Sequence, residues 1–526
     1  MKRLRPRRRT ILEEVKTMAE SRSRKDPSSC SPPQTPRRDL GGGESPSGSA
    51  LLGHDPTRIH KALAERFPGR VLTAPEDLAR YAGDALAAAR AYRAGFAADV
   101  LPLAVVRARS TDDVCALLAW AQQEGVPVVP FGGGSGVMGG AVAVPGAVTL
   151  DLRGLDRIRR ISREDRTAEA EAGVLLVDLN AALEEHGLFF AHDPWSVAVA
   201  TVGGAISTNG AGYRVGGYGR MADQVLGVEV VLAGGRLVRT PAVPAPGPGP
   251  ELHRLFCGAE GTLGVVTAAT LRVWPRPEAE RLVALWFSRF EDAWDWVREL
   301  FEAGLRPAVL DVGEEPGSGD LAPGGIRTET VAYVGFDGAA ELVEACVDRA
   351  LRAAGKHRAR KLPDREAETF WSSRHRPGEE FARRVRAQPD ARLRSRGGRL
   401  FDYLCVSLPA GAVLEFRRTA FQRLSQEGYH LAEFGLWGTP ELVSVAYADP
   451  HGDPSRELDR RRLAEVSDTL LRQALKAGGA LEYCHGAGLK LRHLVPEALG
   501  EGLEVLRAVK HALDPGGILN PGKLLG

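Results

Sequence analysis

The stretch PFGGGSGVMGG, Pro130 to Gly140, decides the fold. Gly134, Gly136 and Gly139 match the dinucleotide fingerprint G-x-G-x-x-G. In a Rossmann unit that loop joins a strand to a helix, because the pyrophosphate rests on the helix N-terminus. Here the strand side fits, since VPVVPF (126–131) is a β-branched run. The helix side does not. AVAVPGAVTLDL (141–152) carries Pro145 and Gly146 in its interior and reads as strands joined by a turn. The helix comes earlier: STDDVCALLAWAQQEG offers Ser110 as N-cap, Asp112 and Asp113 in the first turn, apolar Val114, Leu117, Leu118 and Ala121 on one face, and Gly125 as the stop. The order is therefore helix, strand, glycine loop, strand, and the fingerprint match is accidental.

The loop still asks for a purpose. Glycines at 132, 133, 134, 136, 139 and 140 leave backbone N–H groups uncovered and free to take positive φ, which builds an anion-binding nest without a helix. With no Lys or Arg in it, peptide dipoles alone would hold a phosphate. A flexible surface turn is the plainer reading of an isolated glycine run.

At 526 residues, 44% hydrophobic and 26% charged, the chain has the composition of a globular protein of two or three domains. Net charge is +2, yet six of the eight residues from Lys2 to Arg9 are basic, so the remainder is slightly acidic and does not suit nucleic acid. No apolar core follows the basic N-terminus and no run of about 18 apolar residues occurs, so neither a Sec signal nor a membrane span is expected, and the expectation is a cytoplasmic enzyme. Residues 1–50 are Pro/Gly/Ser-rich and read as a disordered tail, with Met18 an alternative start. Six scattered cysteines show no C-x-x-C spacing, which indicates neither a zinc cluster nor a disulfide framework.

Downstream, RTAEAEAGVLLVDLNAALEEHG gives a strand, a turn at Gly173 and a short helix ended by Gly187. HDPWSVAVATVGGAISTNGAGYRVGGYG (192–219) is polar, glycine-rich and aperiodic, the mark of a functional loop. VLGVEVVLAGGRLVRT reads as a hairpin turning at Gly234 and Gly235, and LFCGAEGTLGVVTAATLRVWPRP closes the block with a glycine-flanked strand.

Together these passages resemble the FAD-binding domain of the vanillyl-alcohol oxidase / p-cresol methylhydroxylase superfamily, in the branch holding glycolate oxidase D-type subunits, D-lactate dehydrogenases and alkyldihydroxyacetonephosphate synthase. The resemblance spans about 101–277 and resumes at 478–526. It implies an α+β protein: a two-subdomain FAD-binding domain of the p-cresol methylhydroxylase type (51–277), an antiparallel-sheet α+β substrate cap (278–477) and a C-terminal segment returning to the flavin (478–526). The implied FAD-binding positions are Phe131, Gly132, Gly133, Gly134, Ser135, Gly136 and Val137; Asp193, Thr201, Gly203, Gly204, Asn209 and Gly210; and Glu260, Gly261, Gly264 and Val265. Many relatives tether FAD through a histidine near the phosphate loop; this chain has Ser135 there, so non-covalent FAD is expected.

In the cap, helices such as EDAWDWVRELFEAG alternate with strands such as TVAYVGF, RLFDYLCVSLP and ELVSVAYAD, consistent with an antiparallel sheet backed by helices. The resemblance puts Arg374, in FWSSRH, where related 2-hydroxyacid dehydrogenases clamp a carboxylate, a task suited to a guanidinium fork. A solvated helix arginine is the competing reading. His485, in YCHGAG, matches the family's flavin-side base, and Asn520 and Lys523 in LNPGKL match a closing motif near the flavin. Metal-assisted relatives carry H-x-G-D-G-N-x-H and a glutamate directly before the His-Gly. Here LAEFGLWGTPELVSVAYAD has no histidine and Cys484 precedes His485, so no metal site is expected. Trp437, Tyr447 and Tyr483 are candidates for an aromatic pocket wall, or for core packing.

The implied activity is hydride transfer from a hydroxylated, acidic small molecule of the 2-hydroxy acid type to flavin, with His485 as base. The alternatives are a synthase-like flavin-dependent transferase without net redox and a flavin-binding protein with a decayed cap. The implied partners are a small-molecule substrate and an electron acceptor that the sequence does not name; a homodimer is compatible with each reading.

Overall fold

Helix Thr111–Glu124 forms where its caps place it. The Ser110 side chain accepts from the Asp113 N–H, Gly125 ends the helix in the left-handed region, and Val114, Leu117, Leu118 and Ala121 are buried. The computed structural model describes residues 55–87, 90, 100–316, 328–388 and 400–525; the tail expected over 1–50 lies outside them. Four strands, β1 (Val71–Leu72), β2 (Ala104–Arg107), β3 (Val128–Phe131) and β4 (Val148–Asp151), form a sheet in the order β1-β2-β4-β3. β4 runs parallel to both β2 and β3, so the glycine loop leaves β3 and the chain crosses back before re-entering the sheet. Of the stretch 141–152 only its second half is a strand; Ala141–Ala147 is irregular, and Gly146 turns it at positive φ.

A second sheet holds β5 (Ile158–Ser162), β6 (Thr167–Glu171), β8 (Val225–Val231), β9 (Leu237–Arg239) and β10 (Val265–Arg272) in the order β5-β6-β10-β8-β9. The expected hairpin is β8–β9, with Gly234 and Gly235 both at positive φ. A ribbon of β7 (Leu188–Phe189) and β11 (Trp274–Pro275) lies beside it. The passage 192–219 is not an open loop. Thr201 caps a helix, Val202–Thr208, by accepting from the Gly204 N–H, and Asn209 closes it at φ 49°. Gly203 and Gly204 disguise this helix in sequence, because glycine is a poor helix former. Packing accounts for Gly203: a Cβ there would lie 2.7 Å from the Ala172 Cβ.

The third sheet is antiparallel throughout: β12 (Ala279–Phe287), β13 (Val309–Pro316), β14 (Thr328–Gly338), β15 (Arg360–Lys361), β16 (Leu400–Ser407), β17 (His430–Trp437) and β18 (Thr439–Asp449), in the order β15-β12-β14-β13-β17-β18-β16. Helices including Phe290–Glu302 and Glu457–Lys476 bury Trp296, Val297, Leu470 and Leu471 in its core. The chain after Lys476 then revisits every layer. Ala480 bridges to Ser407, helix Gly502–Leu513 packs Leu506, Val509 and Leu513 on the second sheet's core, and Leu519 bridges to Val128 on β3.

Candidate functional site

One cavity collects the glycine loop, the start of helix Val202–Thr208, the 260–266 segment and the His485 turn. Phe131 to Val137, Thr201, Gly203, Gly204, Gly210, Glu260, Gly261, Gly264, Val265 and His485 all line it, as the sequence reading expects. Gly133 has no room for a side chain: a Cβ would lie 1.8 Å from the Val199 carbonyl oxygen. Gly134 takes φ +61°. The loop therefore presents backbone to the cavity because its other side is pressed against the 199–201 segment.

Glu260 ties three segments together. Its backbone sits at φ 52°, its carboxylate accepts from Ala487 N (2.7 Å) and Gly488 N (2.8 Å), and its carbonyl accepts from Asn520, so the His485 turn and the 520 segment are both held against residue 260. Burial pushes its carboxyl up to about 7, against the pull of those N–H groups and of Lys523. The folded protein thus keeps a proton there that the unfolded chain gives up in the ordinary carboxylate range, so stability contributed by this group falls as pH rises from about 4.5 to about 7 and levels off above. Thermal unfolding across that window should show the decline, and Glu260→Gln should flatten it.

Five residues that the sequence reading puts at the flavin or substrate are not on the cavity wall. Asp193 does not line the cavity; it bonds Arg374 Nε (2.9 Å) and His375 Nε2 (2.5 Å), and although burial opposes ionisation, these partners hold its carboxyl below the usual range. Arg374 is committed by the same pair: it donates to the Trp371 carbonyl (2.6 Å), stacks 3.7 Å from the Trp371 ring centre and lies outside the cavity wall. Asn209 accepts from Ala222 N through Oδ1 and serves as a helix cap. Asn520 lies beneath the cavity, donating to the carbonyls of Gly140 (2.9 Å) and Glu260 (2.7 Å), while buried Lys523 donates to the Val142 carbonyl (3.0 Å). The aromatic wall is also corrected. Tyr447 is fully buried and bonded to Ser467, Trp437 donates to the Gly212 carbonyl beside Tyr213, and Tyr483 is core; none lines the cavity.

The His485 ring is set by a neighbour that sequence reading missed. Glu482, at φ 41°, turns its carboxylate onto Cys484 N (3.2 Å), His485 N (3.1 Å) and His485 Nδ1 (3.0 Å). Nδ1 therefore carries the proton, and Nε2 is the nitrogen able to accept one. Burial disfavours a charged imidazole, but Cys484, the Glu482 carboxylate and hydrogen bonding with Cys405 and Cys484 outweigh it and hold His485 well above the usual imidazole range. Tyr403 stacks edge-on to this ring and receives the Arg90 guanidinium 3.8 Å from its own ring centre. Cys405, Glu482 and His485 bring three donor atoms within 4.8 Å of one another, the set among the described residues that could take a divalent cation. Their hydrogen bonding already accounts for the Glu482–His485 geometry.

Residues 102–241 match the FAD binding domain and residues 276–524 the C-terminal domain of FAD linked oxidases. The glycolate oxidase subunit GlcD of Bacillus subtilis is 30% identical over 433 residues, 81% of this chain and 89% of that one. The chain belongs to the FAD-linked oxidase family. It is an FAD-dependent oxidoreductase. A D-lactate dehydrogenase of Archaeoglobus fulgidus is also 30% identical, over 80% of this chain and 91% of that one. In fold it resembles p-cresol methylhydroxylase, with a TM-score of 0.69 at 19% identity over 91% of this chain and 98% of that one. Among the described residues no helix is long and apolar enough to cross a membrane.

The residues present fit FAD. A backbone cradle that a Cβ at Gly133 would destroy suits the pyrophosphate, and the unpartnered buried Nδ1 of His192 on the cavity wall suits a polar cofactor edge.

Proposed function

We propose that this protein oxidises a small 2-hydroxy acid, with His485 as the base that removes the hydroxyl proton. The observation that carries the reading is the meeting of His485, oriented through Nδ1 by Glu482, with the glycine loop in one cavity. When bound, FAD supplies the two-electron acceptor. The glycine loop would hold the pyrophosphate, and the cofactor would stay untethered, since Ser135 stands where a tethering histidine would be expected. Glu482 fixes the imidazole tautomer and stabilises the charge left after proton transfer, as an acidic partner does for a general base. Arg374 acts at one remove: paired with Asp193, it pins the cap helix to the segment whose next residues, Pro194 to Ser196, form cavity wall. The substrate class follows the glycolate oxidase and D-lactate dehydrogenase relatives.

Anaerobic titration of the yellow protein against glycolate, D-lactate, D-2-hydroxyglutarate, simple alcohols and phenols tests the reading. Bleaching by a hydroxy acid is expected. Bleaching only by a phenol or alcohol would refute the acid substrate. Absence of bleaching, with a fatty alcohol taken up into alkyl-dihydroxyacetonephosphate as the fatty acid leaves an acyl-dihydroxyacetonephosphate, would establish a transferase instead.

A further inference from the structure

The wall of the cavity holds a second histidine that the proposed chemistry leaves unused. His192 is 2% exposed, and its Nδ1 is buried without a hydrogen-bond partner. Of the described residues lining the cavity, it alone carries such an atom. Its ring lies on Gly210, where an added Cβ would be 3.2 Å from Cε1, 3.4 Å from Nε2 and 3.7 Å from the Cys484 carbonyl oxygen; the Phe190 ring meets it edge-on at 6.2 Å. The ring is thereby fixed next to the turn that carries His485. Burial pushes it down to about 4, against the nearby Asp193 carboxylate, so it is neutral at physiological pH. A buried polar group left unpaired is costly, and native structures seldom leave one without a reason.

We propose that His192 is the hydrogen-bonding partner this cavity offers to the flavin ring, and that it tunes both FAD retention and the flavin's reduction potential. A neutral imidazole can donate from one nitrogen and accept at the other, so it serves a ring system whose polar edge changes character on reduction. The inference rests on the chain's being an FAD enzyme and is independent of which substrate it oxidises.

The test compares His192→Phe, which keeps a flat ring without hydrogen bonding, with His192→Asn, which restores a short polar side chain. FAD dissociation, the visible flavin spectrum and the midpoint potential are measured on each holoprotein. The Phe variant should release FAD about tenfold more readily, the worth of one hydrogen bond to a buried group, with displaced flavin bands and a shifted midpoint. The Asn variant should recover much of each. Wild-type dissociation, spectrum and midpoint in both variants would overturn the proposal. So would a change confined to the Michaelis constant, which would turn His192 toward substrate. Should the Phe variant fail to fold, His192→Leu carries the same comparison.

Discussion

Gly133→Ala is expected to produce protein that purifies without FAD. The new methyl would stand 1.8 Å from the Val199 carbonyl oxygen and 2.8 Å from its carbon. Both are backbone atoms, so no rotamer change relieves the overlap, and the loop must move off the segment that shapes it. Overpacking of this kind costs a few kcal/mol, or about a 100-fold loss of FAD affinity if the displaced loop carries the cost. The ratio of flavin to protein absorbance after gel filtration measures it. Gly355→Ala, in helix Ala340–Lys356 with nothing within 4 Å of the added Cβ, is the matched control and should stay yellow. A Gly133→Ala protein with wild-type FAD content and affinity would show that the loop does not cradle the cofactor. Gly136 is more forgiving, because its nearest obstacle is the Asp84 carboxylate at 3.2 Å.

His485→Ala should leave the flavin spectrum nearly intact while slowing substrate-driven flavin reduction by about 10²–10⁴-fold, the usual contribution of a positioned general base. Substrate binding should change far less. The pH profile separates chemistry from packing. Only neutral imidazole accepts a proton, and the Cys484 and Glu482 surroundings raise this imidazole, so the wild-type reduction rate should climb with pH through one ionisation above the ordinary histidine range. Glu482→Gln should move that rise toward lower pH, since the neutral amide no longer favours the charged ring. Equal anaerobic reduction rates for His485→Ala and wild type would remove His485 from the reaction.

What the sequence discloses here is what local chemistry encodes. Ser110 and Gly125 mark a helix because a cap bonds within three or four residues of itself, and the glycine loop is visible because only glycine tolerates its backbone. Asp193, Asn209 and Asn520 were legible as polar residues in glycine-rich company, but not in their roles. Their partners, Arg374 with His375, Ala222, and the carbonyls of Gly140 and Glu260, lie 13 to 380 positions away. Arg374 looked like a carboxylate clamp for the same reason: nothing near it in sequence reveals that Asp193 already occupies it. Glu482 stayed hidden although only three residues from His485, because an i, i+3 carboxylate speaks to a histidine only when the turn between them folds it back. His192 sits in a glycine-rich, aperiodic stretch that gives it no local mark, and its signal, an orphaned nitrogen, exists only once the walls around it are built.

The joining of Leu519 to Val128 and of Asn520 to Gly140 also sets a timetable. Contacts separated by 380 positions cannot form until the later segment has followed the earlier one out of the ribosome, and such long-range closures are slow to form. The glycine loop emerges early yet waits, without its floor, for the segment that lies beneath it.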